Sequence, residues 1–312
     1  MSESFSAAVI QAASFPQDSL SSAEKAVGLI REAAAKGAKL MVFPEAFLGG
    51  YPKGASFGTP VGLRKPEGRE EYRIYHESAI DLDGPEVALL SEATADTGAF
   101  IVMGVIEREG GTVYCTALFF DGEKGLVAKH RKLMPTGAER LIWGFGDGST
   151  LPVIDTPLGR IGAVICWENY MPMLRMTMYD QGVTLYCAPT ADDRDAWAGS
   201  MRHIALEGRC FVLSACQYIT RSAYPDDFDC ALGDDPDSVL MRGGSMIVAP
   251  LGEVLAGPDF SGETILYARI DPDEVVRGKY DFDVTGHYAR PDVFNLTVDV
   301  APKRAVSRTE ES

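Results

Sequence analysis

The chain has 312 residues, 46% hydrophobic and 24% charged, with a formal net charge of −16. This composition suits a soluble globular protein with ample core material, as one large domain or two ordinary ones. The acidic balance speaks against nucleic acid or an anionic membrane as partner, since both need basic patches.

The N-terminus lacks a basic region followed by a long apolar stretch, and no run of about 18 apolar residues occurs, so neither a secretory signal nor a membrane span is expected. The six cysteines, Cys115, Cys166, Cys187, Cys210, Cys216 and Cys230, show no C-x-x-C spacing, and no His-x₃-His occurs. No metal site is predicted from such spacing, and thiols in a reducing cytoplasm are expected.

In chain order, Phe5 to Gln11 reads as a strand. Ser19 to Lys36 reads as a helix on the spacing of Leu20, Ala23, Val27, Ile30 and Ala34, with Ser21 and Glu24 as a capping box and Gly37 as the stop. Leu40 to Phe43 is a short buried strand that runs into Pro44 and Glu45. Pro85 to Thr97 is a second helix, with Pro85 in its first turn and Gly98 at its end.

Strands follow at Phe100 to Ile106, Val113 to Asp121 and Gly125 to His130, the last two as a hairpin around Asp121-Gly122. A turn-rich polar stretch, HRKLMPTGAERLIWGFGDGS, comes next; its GFGDG lacks the G-K-[ST] of a phosphate loop and is read as a turn. Ile161 to Ile165 is a strand ending at Cys166. Pro172 to Asp180 is helical, and Thr184 to Ala188 is a strand ending at Pro189-Thr190. Asp195 to Gly208 is a helix with Trp197, Met201 and Ala205 on one face, followed by a strand at Phe211 to Gln217.

Residues 218–243 read as a long acidic loop. Strands at Ser245 to Ala249, Glu253 to Ala256 and Thr264 to Ile270, a short helix at Asp271 to Arg277 and a loose tail complete the chain. Strands and helices alternate with no break in composition, which predicts one α/β domain, residues 1–300, and a tail, 301–312.

Polar groups at strand ends are where an α/β protein usually places its chemistry. Glu45, Lys132, Cys166 and Thr190 all occupy such positions. A cysteine nucleophile needs a base or a cation beside it. Glu45, desolvated after an apolar strand, suits the base; Lys132 suits a fixed charge that stabilises a developing anion. His130 and His203 are alternative bases. The same patterns also suit a solvated ion pair, a basic face and a core thiol, so the residue pattern alone leaves these readings open.

The motifs around these residues are long and ordered: FPEAFLGGYPKG around Glu45, HRKLMPTGAER around Lys132 and CWENYMP from Cys166. With APTAD, MRHIALEGRCFVLSACQ, GGSMIVAPLGEVLAGP and RGKYDFDVTGHYARPDVF they cover nearly the whole chain, which strongly resembles the nitrilase superfamily and, within it, the true nitrilases.

The resemblance implies a four-layer α-β-β-α sandwich and a Glu-Lys-Cys triad at Glu45, Lys132 and Cys166, with a second glutamate at Glu139. It implies hydrolysis of a nitrile to the acid and ammonia by water, without a metal or organic cofactor, in a homo-oligomer. Relatives often carry a histidine where this chain has Gly137, and the short tail departs from spiral-forming relatives. Tyr51, Trp167, Tyr170, Thr190 and Trp197 lie near the motifs and are expected to line the substrate pocket. Aromatic, arylaliphatic and small aliphatic nitriles stay open, as does an amino-acid nitrile such as cyanoalanine, because EGREEYRIYHESAIDLDGPEV resembles plant-type nitrilases. An amidase or carbamoylase, a cyanide-acting enzyme and a non-enzymatic relative are the competing readings.

Overall fold

Strands that are apolar on both faces need cover on both faces. The computed structural model, which describes residues 3–306, shows how the chain provides it. Its elements are β1 (Phe5–Gln11), α1 (Ser19–Ala35), β2 (Ala38–Val42), α2 (Pro66–Ser78), α3 (Pro85–Thr97), β3 (Phe100–Glu109), β4 (Thr112–Asp121), β5 (Gly125–Arg131), β6 (Val153–Thr156) and β7 (Gly159–Ala163). There follow α4 (Pro172–Asp180), β8 (Leu185–Thr190), α5 (Asp195–Gly208), β9 (Phe211–Cys216), β10 (Tyr218–Thr220), β11 (Val239–Arg242), β12 (Ser245–Val248), β13 (Val254–Asp259), β14 (Thr264–Ile270) and α6 (Asp273–Gly278).

Two six-stranded mixed sheets form, in the orders β14-β1-β2-β3-β4-β5 and β13-β12-β9-β8-β7-β6. In the first, β1, β2 and β3 are parallel; in the second, β7, β8 and β9 are. Alternate residues sort to opposite faces. Ala7, Val9, Leu40, Val42 and Phe119 point inward and meet Ile161, Ala163, Leu185, Leu213 and Ile247 of the other sheet. Ala8, Ile10, Met41 and Ile101 point outward, under Ala23, Ala26 and Ile30 of α1 and Val87, Leu90 and Ala93 of α3. On the far side, Leu174 and Met178 of α4 and Trp197, Met201 and Ile204 of α5 cover Val164, Tyr186, Val212 and Met246. The result is the α-β-β-α sandwich. Among the described residues no helix is long and apolar enough to cross a membrane.

Several expectations are corrected. Helix α1 starts at Ser19 and is capped by Asp18, whose carboxylate accepts the Ser21 N–H, so Ser21 and Glu24 do not form the cap. Helix α2 was not expected. Pro66 opens it and Arg73 pairs with Glu70 and Glu77 one turn away on either side, but only Gly68, Tyr75 and Ser78 are buried. A helix held by surface ion pairs carries little apolar periodicity to read. The 218–243 loop contains the antiparallel pair β10 and β11. The edge strand β6 pairs with β7, and β7 stops at Ala163, short of Ile165. Strand β8 runs through Pro189 to Thr190; its last rung with β7 is at Cys187, so the missing Pro189 N–H leaves no β7 partner unmatched.

The chain leaves β2 towards Glu45, β7 towards Cys166 and β5 towards Lys132. Strand β5, two antiparallel steps from β3, runs in the same direction as β2, so Glu45 and Lys132 emerge at the same edge of the first sheet.

Candidate active site

Glu45 lies past β2, where the chain bends sharply. Gly104 of β3 makes the bend possible: a Cβ there would sit 2.1 Å from the Pro44 carbonyl oxygen and 2.8 Å from the Glu45 Cα. Glu45 is 1% exposed, and its Oε2 is buried with no hydrogen-bond partner. Its Oε1 receives the Lys132 Nζ at 2.6 Å and the Cys115 thiol at 3.4 Å.

Lys132 follows β5 directly, with its N–H on the Cys115 carbonyl at 2.8 Å. Its ammonium also donates to Glu139 Oε2 at 2.8 Å and sits 5.2 Å from the centre of the Trp143 ring. Glu139 is placed by a 3₁₀ turn, Gly137–Leu141, which Gly137 enters at φ +57°. Its Oε2 accepts the Thr136 N–H at 2.6 Å, and its Oε1 accepts the Tyr51 hydroxyl at 2.6 Å.

Cys166 opens the 3₁₀ turn Cys166–Tyr170 and has φ +50°, a left-handed conformation unusual for a side chain of this kind. Asn169 holds that turn, donating from Nδ2 to the carbonyls of Cys166 at 2.8 Å and Val164 at 2.9 Å. The Thr190 hydroxyl donates to Cys166 Sγ at 3.3 Å.

Burial dominates the electrostatics. It pushes the Cys166 thiol far up, the Glu45 charge adds to this, and Lys132 only partly opposes it. The resting sulfur therefore holds its proton and needs a base. Burial raises Glu45 above the ordinary carboxylate value against the pull of Lys132, which makes it a better base than a solvated carboxylate. Burial works against the Lys132 charge, but Glu45 leads the acids that outweigh it and hold the lysine well above its ordinary value. A buried unpartnered carboxylate oxygen, a fixed ammonium and a neutral thiol make a set able to move a proton off sulfur and stabilise a negative atom.

Of the expected pocket residues, Tyr51 reaches Glu139 and Thr190 reaches the sulfur. With Glu139, Tyr51 borders a cavity of about 220 Å³ that Lys53, Phe57, Thr136 and Trp143 also line. Trp167 is 41% exposed, its indole N–H on Asp192 at 2.8 Å and Arg194 over its ring. Tyr170 lies edge-on between Trp167 and Trp197, towards Ser200 of α5. Trp197 departs from expectation: it is buried in the helix-side core, with its indole N–H on Ser214 Oγ at 2.8 Å.

The alternative bases are elsewhere. His203 is exposed on α5 beside Glu207, and the His130 ring is committed to Thr150 and Glu168. Cys115 and Glu168 are site residues that reading the chain passed over. Each sits in a run whose periodicity or motif explains it locally, and neither displays its distant partner.

The carbon-nitrogen hydrolase family model matches residues 6–280. The chain is 71% identical to a nitrilase of Bradyrhizobium diazoefficiens over 97% of its own length and 94% of that protein. It is 62% identical to an aliphatic nitrilase of Sinorhizobium fredii, over 97% of this chain and 98% of that one. Among solved structures, the C. elegans NitFhit protein superposes with a TM-score of 0.72 at 21% identity, covering 97% of this chain and 69% of that one. The chain belongs to the carbon-nitrogen hydrolase family, in its nitrilase branch.

Proposed function

We propose, for this member of the carbon-nitrogen hydrolase family, thiol-dependent hydrolysis of an organic nitrile to the carboxylic acid and ammonia. The chemistry rests on one observation: the buried Glu45–Lys132–Glu139 chain beside a thiol that stays neutral at rest. The nitrile as substrate rests on the relatives named nitrilases, and a small aliphatic nitrile is the first to test because one of them is named an aliphatic nitrilase.

Glu45 takes the Cys166 proton as sulfur adds to the nitrile carbon. One pair of the C≡N π electrons moves to nitrogen, which takes that proton from Glu45, and a thioimidate forms, with Glu45 ionised again. Lys132 and the backbone N–H of Trp167 stabilise that nitrogen. Water adds to the carbon and both its protons pass through Glu45 to nitrogen; the C–N bond breaks, ammonia leaves and a thioester remains. A second water breaks the C–S bond and releases the acid, returning the proton to sulfur. Glu139, clasped by Tyr51 and Thr136, holds the Lys132 ammonium in place.

We read residues 1–300 as one catalytic domain, which the family match over 6–280 supports; of the 301–312 tail, residues 307–312 lie outside the described residues. A homo-oligomer is supported by Met173 on α4 and Tyr280 and Phe294 further on, which are exposed. Six buried thiols suit a cytoplasmic setting.

The test is a nitrile panel in which ammonia, acid and amide are all quantified, with intact-mass detection of an adduct on Cys166. Cys166→Ala should release no acid and form no adduct; full activity in that variant would sink the scheme. Faster ammonia release from amides than from the matching nitriles would move the reading to an amidase.

A further inference from the structure

Cys166 and Lys132 come from different sheets. Lys132 follows β5, the outermost strand of the first, and Cys166 follows β7 of the second. Strand pairing does not join the two sheets, yet catalysis requires the ammonium and the sulfur to be held to a fraction of an ångström.

One carboxylate spans the gap. Glu168 Oε1 accepts the N–H of Leu133, the residue after Lys132, at 2.6 Å. Glu168 Oε2 accepts the N–H of Ile165, the residue before Cys166, at 3.0 Å. The same Oε2 meets His130 Nε2 at 2.9 Å, and both side chains are 0% exposed. The other ring nitrogen, Nδ1, lies 2.6 Å from the Thr150 carbonyl, which can only accept. The Thr150 carbonyl makes Nδ1 a donor, and Nε2 faces the carboxylate, a setting that favours the ring's positive charge. Burial opposes that charge, but Glu168 and the Thr150 carbonyl outweigh it.

A turn cap would need only the Ile165 N–H. Three contacts converging from two sheets need a group with two oxygens, and a carboxylate so deeply buried needs a counter-charge. We propose that Glu168 is a positioning residue that sets the spacing of Lys132 and Cys166, and that His130 is its counter-charge. Neither touches the substrate. The proposal rests on the nitrilase reading for its turnover assay and on the thiol alone for its second assay.

The experiment is Glu168→Gln in the full chain, assayed well below its melting temperature. An amide offers one acceptor oxygen and aims its NH₂ at a backbone N–H. The expected result is a kcat lower by about 100-fold, the scale of a 1 Å misplacement, with the nitrile KM unchanged. Alkylation of Cys166 by iodoacetamide, followed by intact mass, should slow by about tenfold. A lowered Tm with normal kcat and normal alkylation would overturn the proposal and leave Glu168 a turn cap. A loss expressed in KM would overturn it too, by placing Glu168 on the substrate. If Glu168→Gln does not fold, His130→Gln leaves both backbone bonds to Glu168 in place and should lower kcat by about tenfold; an unchanged kcat there overturns the proposal. If the native protein turns over no nitrile, the functional reading fails, while the alkylation rates still decide the positioning role.

Discussion

Lys132→Met keeps the length and apolar stem of the side chain and deletes its charge. The Glu45 and Glu139 carboxylates, now 2.6 and 2.8 Å from the ammonium, then lose the cation between them. Burial is the largest influence raising Glu45, Lys132 is the largest lowering it, and Glu139 adds to the rise, so deletion of the lysine leaves the Cys115 hydrogen bond alone against that rise. The cheapest escape is for Glu45 to hold a proton. A carboxyl that ionises at 4.5 when free costs about 1.4 kcal/mol for each pH unit above that value at which folding makes it stay protonated. The deficit relative to the native protein therefore grows with pH, by at most about 1.4 kcal/mol per unit, over the range where Glu45 is protonated in the variant and ionised in the native protein, towards the roughly 3–5 kcal/mol range for breaking a buried pair. The sign follows from the raised folded-state pKa: stability is fully present below the unfolded value and is lost as pH rises. Urea unfolding of both proteins at about pH 5.5 and about pH 7.5 measures it. A deficit equal at both would refute the reasoning, because the loss would then come from packing and not from a carboxylate forced to take up a proton.

Two further outcomes follow from the geometry. Gly104→Ala puts a Cβ against backbone atoms at Pro44 and Glu45 that cannot swing aside; stability should fall by about 1–3 kcal/mol in urea unfolding and kcat by about 100-fold, and native values of both would deny the close approach. Trp197→Phe removes the bond to Ser214 Oγ in the helix-side core; it should cost about 1–3 kcal/mol of stability and leave KM unchanged across the nitrile panel, whereas a substrate-dependent KM shift would put Trp197 back in the pocket.

The sandwich was legible because strands covered on both faces are continuously apolar and end abruptly. Phe43 before Pro44-Glu45 and Ile165 before Cys166 close such apolar runs just past the strands, and both are buried. Helix α2 was hidden because Glu70, Arg73 and Glu77 stabilise it from the solvent side and leave no stripe. Trp197, expected in the pocket because it lies near the motifs, is buried in the helix-side core: the periodicity that puts it with Met201 and Ala205 does not say whether that face packs on the sheet or faces the site.

The deeper limit concerns neighbours across the two sheets. Pattern identifies the residues that end strands; it carries no register between a β5 end and a β7 end, because no backbone pairing connects them. Glu168 on Leu133 is a contact of this kind, and Tyr51 on Glu139 and Cys115 on Glu45 join segments of the first sheet that do not pair directly; the three lie 35, 88 and 70 residues apart in the chain. Each involves a residue whose local setting already accounts for it: a loop tyrosine, a strand cysteine, a turn carboxylate. That is why the candidate reacting residues stand out at strand ends and in family motifs, whereas the groups that contact them required the fold. It also implies that substitutions at the tyrosine, cysteine and turn carboxylate act through the spacing of Glu45, Lys132 and Cys166 and not through the chemical identity of those three.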